Sequence, residues 1–126
     1  MLILIVDDEQ VRHDMAEQML TKAGHTVLHA FSCEEGKEIL QAGNQRIGLL
    51  LLDHDMGMGG SGSDLAGFIL NELDPERFPA QAVSHSWNSD GAANIAVKLR
   101  TAGIPTRIWS FASDMLQFMI LSIEEQ

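Results

Sequence analysis

Asp7 and Asp8 close an aliphatic run, Leu2 to Val6, and Asp53 closes another in the stretch Leu49-Leu50-Leu51-Leu52-Asp53-His54-Asp55-Met56-Gly57. A carboxylate at the end of a buried run sits where core meets water, and there it can ligate a hard cation or accept a phosphoryl group covalently. Three carboxylates at one edge repel each other unless a cation sits among them. All-oxygen ligands suit Mg²⁺, with Mn²⁺ as an alternative. His54 directly follows Asp53, and His85 stands in Ser84-His85-Ser86-Trp87-Asn88-Ser89-Asp90-Gly91. An unperturbed imidazole titrates near 6.5, so either residue can give or take a proton near neutrality. Asp55, next to His54, is placed to fix an imidazole's tautomer. The following loop holds Gly57, Gly59, Gly60 and Gly62. Glycine lets backbone amides approach a phosphate, and a helix N-terminus favours an anion. The Lys-Ser/Thr ending of a nucleotide P-loop is missing, and a plain surface loop fits the composition equally well.

These residues need a scaffold that gathers segment ends. Leu2 to Val6 has the continuous aliphatic character of a parallel strand covered on both faces. Val11, Met15, Met19 and Leu20 recur at helical spacing, with Gly24 as a stop. Thr26 to Ala30 predicts a second strand. Ser32 opens a helix, with Glu35 placed for a capping box and Gly43 beyond its end. Gly48 to Leu52 predicts the third strand, and a helix follows from about Asp64 to Leu73, capped by Ser63 or Asp64. The second half continues with a strand at Ala80 to Ser84, a helix at Gly91 to Ala102 stopped by Gly103, a strand at Thr106 to Trp109 and a helix at Ser113 to Glu125. This alternation predicts one α/β domain over residues 1–126, a doubly wound parallel sheet with right-handed crossovers.

Composition agrees. A chain of 126 residues fits one domain, and 45% apolar with 21% charged residues is ordinary globular usage. Eight Lys and Arg against 18 Asp and Glu give a net charge of −10. That surface repels extended nucleic acid and anionic membranes, although a bound cation lets an acidic site hold a small phosphate. The apolar start lacks a basic flank and runs into Asp7, which makes it a strand rather than a signal peptide. No apolar run approaches the ~20 residues of a membrane span. A single cysteine, Cys33, excludes an internal disulfide and suits a cytoplasmic location.

Asp7 and Asp8 at one strand end and Asp53 at another resemble, over essentially the whole chain, the receiver domain of two-component response regulators. The resemblance implies a five-stranded sheet in the order 2-1-3-4-5 with the site at the carboxyl strand ends. It maps Asp7 and Asp8 onto the metal-binding acidic pair and Asp53 onto the phosphate-accepting aspartate. The departures are informative. Ser110 stands where receivers carry a lysine after the fifth strand, Phe111 where proline is usual, and no lysine follows Lys98. Arg107 is out of place to substitute. The residue closing the fourth strand, normally Ser or Thr, is Ser84 or Ser86.

Leu-Asp-His-Asp with a following Met-Gly, and His-Ser-x-Asn-x-x-Gly, resemble the cyclic-phosphate processing receiver family. That resemblance implies a metal-assisted phosphoesterase acting on a cyclic phosphate, either a nucleotide or an RNA end. Neighbouring third and fourth strands should then bring His54 and His85 into one crevice as acid and base. Asp55, Gly57, Ser84, Ser86 and Asn88 are expected to bind phosphate or substrate. The alternative is a divergent receiver acting as a signalling or binding module through Asp53.

Other residues carry less. His25 and His29 are expected at the surface, and His13, on the first helix, approaches the acidic pair. Cys33 is either a small packed residue or a thiol activated at a helix start. Trp87 either stacks on a base or packs over the fourth strand. Met15, Met19, Met115 and Met119 fall at core spacing. The broad apolar face of the last helix, from Phe111 to Ile123, predicts a weak symmetric homodimer.

Overall fold

The structure is a computed structural model and describes residues 1–43, 45–57, 59–86 and 89–109. Five parallel strands form one sheet: β1 (Leu2–Val6), β2 (Thr26–Ala30), β3 (Leu49–Asp53), β4 (Ala82–His85) and β5 (Thr106–Trp109). Four α-helices alternate with them: α1 (Gln10–Lys22), α2 (Cys33–Ala42), α3 (Gly62–Asn71) and α4 (Ser89–Thr101). The strand order is β2-β1-β3-β4-β5, the order the resemblance implied. The order reverses between β1 and β3, and the switch opens a crevice at their carboxyl ends. The predicted helix at 113–125, its homodimer face, Ser110, Trp87 and Asn88 lie outside the described residues.

Strand alternation splits the core in two. Ile3, Ile5, Leu49, Leu51 and Val83 pack under α1 against Ala16 and Leu20. Leu4, Val6, Leu50, Leu52 and Ala82 pack under α2, α3 and α4 against Leu40, Leu65, Ile69, Ile95 and Leu99. Each fully buried aliphatic side chain contributes roughly 1.5–3 kcal/mol, so the strand ends are held by apolar packing below them. Among the described residues no helix is long and apolar enough to cross a membrane.

Several boundaries and faces differ from expectation. α1 buries His13, Ala16 and Leu20, whereas Val11 and Met15 are exposed. The apolar stripe therefore misses by about one position the face that α1 turns to the sheet, because a histidine occupies part of that face. α3 starts at Gly62, and its cap is Ser61, not Ser63 or Asp64. Ser61 accepts the Asp64 amide while Asp64 returns a carboxylate oxygen to the Ser61 amide. At α2 the Ser32 hydroxyl accepts the Glu35 amide at 3.1 Å, but the Glu35 carboxylate reaches the Phe31 amide, one residue short of a reciprocal box. β4 starts two residues later than predicted.

Gly62 fixes where the crevice floor meets α3. A Cβ there would stand 2.1 Å from the Asp53 carbonyl oxygen, and its amide donates to the His54 carbonyl at 3.0 Å. Gly62→Ala should therefore cost about 2–4 kcal/mol of stability through a forced backbone shift. Gly67→Ala, in the same helix with only the Lys98 amine at 3.7 Å, should be neutral or stabilise by about 0.5–1 kcal/mol. Urea denaturation of both variants checks the contrast, and equal effects would contradict it.

Candidate functional site

The crevice is built from residues two positions beyond the core on each strand. Asp7 follows Ile5, Asp53 follows Leu51 and His85 follows Val83, so the three turn to the α1 face. Asp53 and His85 are register partners across β3 and β4. Asp7, Asp53 and His85 are all buried, and Asp8 is exposed. Oxygens of Asp7, Asp8 and Asp53 lie within 4.8 Å of one another. Gly57, at φ 70°, lies beside them, and a Cβ there would lie 3.7 Å from Asp8 Oδ2.

Arg12, in the first turn of α1, reaches into this cluster. Its Nε donates to Asp7 Oδ2 at 2.5 Å, and its Nη2 lies 3.5 Å from Asp53 Oδ2 and 3.8 Å from Asp8 Oδ1. Asp7 Oδ1 meanwhile accepts the Glu9 amide at 2.9 Å. Burial alone would lower the guanidinium pKa, but the Asp7 hydrogen bond and the charges of Asp7 and Asp53 outweigh it and raise it. Asp53 is the strained member. Neither of its oxygens accepts a hydrogen bond of ordinary geometry among the described residues. Burial, then the charge of Asp7, pushes its carboxyl up to about 7, with Arg12 opposing. A carboxylate set with an unsatisfied buried member is compatible with a divalent cation, whose charge would offset the repulsion.

The two histidines do not share a crevice. His54 lies one residue past Asp53 and turns to the opposite face, where its ring packs on Gly91 of α4. A Cβ at Gly91 would come within 2.5 Å of that ring. His54 Nδ1 is 3.0 Å from Asp55 Oδ1, and Ser86 Oγ donates to Asp55 Oδ2 at 2.8 Å. The hydrogen bond with His54, then that from Ser86, lowers the Asp55 pKa. His85 is 1% exposed, and burial pushes its pKa down to about 4. It is a neutral buried imidazole at pH 7, which corrects its expected part as an accessible acid or base.

The expected phosphate ligands divide likewise. Ser84 donates to the Ala92 carbonyl at 2.9 Å and ties β4 to α4, so it is structural. Asp55 and Ser86 hold His54 in place, and a carboxylate would in any case repel phosphate. Gly57 stays beside the acids. His13 reaches the backbone of the acidic pair, with Nε2 2.7 Å from the Asp7 carbonyl oxygen. His29, partly exposed, extends that chain: its Nδ1 lies 2.7 Å from His13 Nδ1 and its Nε2 2.6 Å from Glu17 Oε2. Cys33 is buried, and burial pushes its thiol pKa up, which makes it a packing residue. Arg12 went unnoticed in the sequence. Its signal was a basic residue at i+4 from Asp8 at the start of a helix.

With this geometry in hand, the chain can be set beside known proteins. The family model described as the cyclic-phosphate processing receiver domain matches residues 2–101. The chain belongs to that family. Among crystal structures, this cyclic-phosphate processing receiver domain is similar to a response regulator receiver protein from Pseudomonas putida, with 26% identity and a TM-score of 0.74, covering 98% of this chain and 95% of that one. The N-terminal domain of a response regulator/sensory box/GGDEF 3-domain protein from Carboxydothermus hydrogenoformans matches at 25% identity and a TM-score of 0.71, covering 99% and 92%. The response regulator TrrA from Thermotoga maritima, solved with Mg²⁺-BeF, shares the fold at 24% identity and a TM-score of 0.69, covering 97% of each chain. No curated protein matches.

The pKa shifts set a pH dependence. Asp53 titrates at about 7 in the fold against about 3.9 unfolded. Between those values the folded chain holds a proton that the unfolded chain has released, so this residue lowers stability as pH rises. His85 does the reverse. The unfolded chain takes up a proton below about 6.5, while the folded imidazole resists down to about 4, so stability falls as pH drops through that interval. The two slopes oppose each other. Asp53→Asn should exceed wild-type stability by about 2–4 kcal/mol at pH 8 and by much less at pH 4.5. Urea denaturation across that range checks it, and a pH-independent difference would contradict it.

Proposed function

We propose that this receiver domain is a metal-assisted phosphoesterase that hydrolyses a cyclic phosphate, with His54 as general base. The hydrogen-bonded array Ser86–Asp55–His54, one residue from Asp53, carries the reading. Asp55 holds Nδ1, which fixes the tautomer and leaves Nε2 as the proton acceptor. Family membership supports the substrate class. Asp7, Asp8 and Asp53 would hold a divalent cation, Mg²⁺ or Mn²⁺, which when bound supplies positive charge to a phosphoryl oxygen. A single cysteine and an acidic surface suit a cytoplasmic setting and a small substrate rather than extended nucleic acid or membrane.

In the reaction a water oxygen bonds to phosphorus, its proton passes to His54, and the ring P–O bond breaks. The departing oxygen takes its electron pair and is protonated by solvent, giving a phosphomonoester. His85 stays a positioning residue: neutral, buried and beside Asp53. This differs from a two-histidine acid–base pair, and the pH profile separates them. A single base gives one ascending limb, whereas a pair gives a bell.

Turnover of 2′,3′- and 3′,5′-cyclic nucleotides with Mn²⁺ should fall about 10²–10⁴-fold in His54→Ala, the range of general base catalysis. The ascending limb should vanish with it. Asp55→Asn should lower turnover less, through loss of orientation. Full activity in a folded His54→Ala variant would overturn the reading. Stable labelling of Asp53 by acetyl phosphate, with no turnover of any cyclic phosphate, would favour the signalling alternative, for which the acidic cluster and the receiver fold speak.

A further inference from the structure

Three carboxylates converge here, yet the cation that neutralises them belongs to the chain. Among the described Lys and Arg side chains, Arg12 is the one paired with all three acids. The others are engaged elsewhere or stand apart: Lys98 donates to Ser63, Lys37 pairs with Glu34 and Arg100 donates to the Thr106 carbonyl. Both Asp7 oxygens are also committed, one to the Glu9 amide and one to Arg12 Nε. A divalent ion that takes Asp7 sets a second positive charge against the guanidinium already held on Oδ2. The Glu9 amide is fixed beside the start of α1, whereas Arg12 hangs on a flexible stem and repels a second cation. Its side chain is 26% exposed, so a rotamer change can free it without moving the helix.

We propose that Arg12 is an exchangeable internal counter-ion that becomes the phosphate ligand of the site. Without a divalent ion it bridges Asp7, Asp8 and Asp53. When the ion takes the carboxylates, the guanidinium leaves them and turns to the phosphate. There its planar fork can donate two parallel hydrogen bonds to phosphoryl oxygens. No lysine follows Lys98 in the sequence, and among the described cations Arg12 is the one paired with the acids. Arg12 stands at the crevice, on the α1 side of the acids. The exchange also orders binding, because an anion meets a free guanidinium only after the metal has arrived. This deepens the metal-assisted reading above and rests on it.

Calorimetric titration with Mn²⁺ alone, on wild type and Arg12→Gln, tests the first half. The variant should bind Mn²⁺ at least tenfold more tightly, since no internal cation competes; equal or weaker binding overturns the proposal. With Mn²⁺ saturating, inorganic phosphate should bind the variant at least tenfold more weakly than wild type, and Arg12→Lys should recover part of that loss. Unchanged phosphate affinity also overturns it. If Arg12→Gln does not fold, the wild type suffices. Its Arg12 Nε–H signal should be protected from solvent exchange without metal and lose protection with Mg²⁺, and protection that persists in the Mg²⁺ complex refutes the exchange. Absence of any divalent-ion binding to folded wild type contradicts the metal-assisted reading and the proposal together. Equal Mn²⁺ affinity in the two proteins contradicts the proposal alone.

Discussion

Repulsion among Asp7, Asp8 and Asp53 is the constraint on which the rest of the site depends. A parallel sheet whose order reverses between β1 and β3 brings their carboxyl ends together, and the apolar residues beneath leave the aspartates little freedom to move apart. Asp53 is enclosed so fully that its carboxyl is pushed up to about 7. Positive charge is the general remedy for such crowding, and Arg12 provides it from the first turn of α1. A dication would provide it more strongly. Burial, against the opposing charge of Asp7, keeps His85 neutral beside Asp53.

His54 sits on the other side of the strand end. One residue beyond Asp53 the chain turns over, so that His54 faces α4 while Asp53 faces α1. Two glycines make this possible: Gly62 passes against the Asp53 carbonyl, and Gly91 leaves room for the imidazole ring. Any larger residue at either position would displace the histidine or the strand. Asp55 and Ser86 then hold the ring by hydrogen bonds from adjacent strand ends. The result is an acidic face and a histidine-bearing face separated by one residue of backbone.

Much of this was legible in the sequence. Strand and helix order follows from the hydrophobic runs, the sheet order and the convergence of the three aspartates from the resemblance to receivers, and the tie between Asp55 and His54 from their adjacency. Less legible was the facing of side chains at strand ends. A strand ending at Asp53 rather than Leu52 decides which face His54 takes, and apolar periodicity does not resolve one residue there. The resemblance offers Ser84 as the Ser or Thr that closes the fourth strand, but the in-register neighbour of Leu52 points into the core and bonds to α4. The contacts of Arg12 and His29 are not legible for a different reason. Each acts through a partner distant in sequence or across a helical turn, and only the packed α1 face reveals the contacts.

The central claim is that this receiver domain cleaves a cyclic phosphate by direct attack of water. The most direct test is ³¹P NMR of a 2′,3′-cyclic nucleotide incubated with the wild-type protein and Mg²⁺ in H₂¹⁸O. Direct attack predicts a phosphomonoester carrying one ¹⁸O on phosphorus, formed in proportion to the enzyme and with no phosphorylated protein at any time. An unchanged cyclic phosphate, together with a phosphorylated Asp53 when acetyl phosphate is supplied, would contradict it.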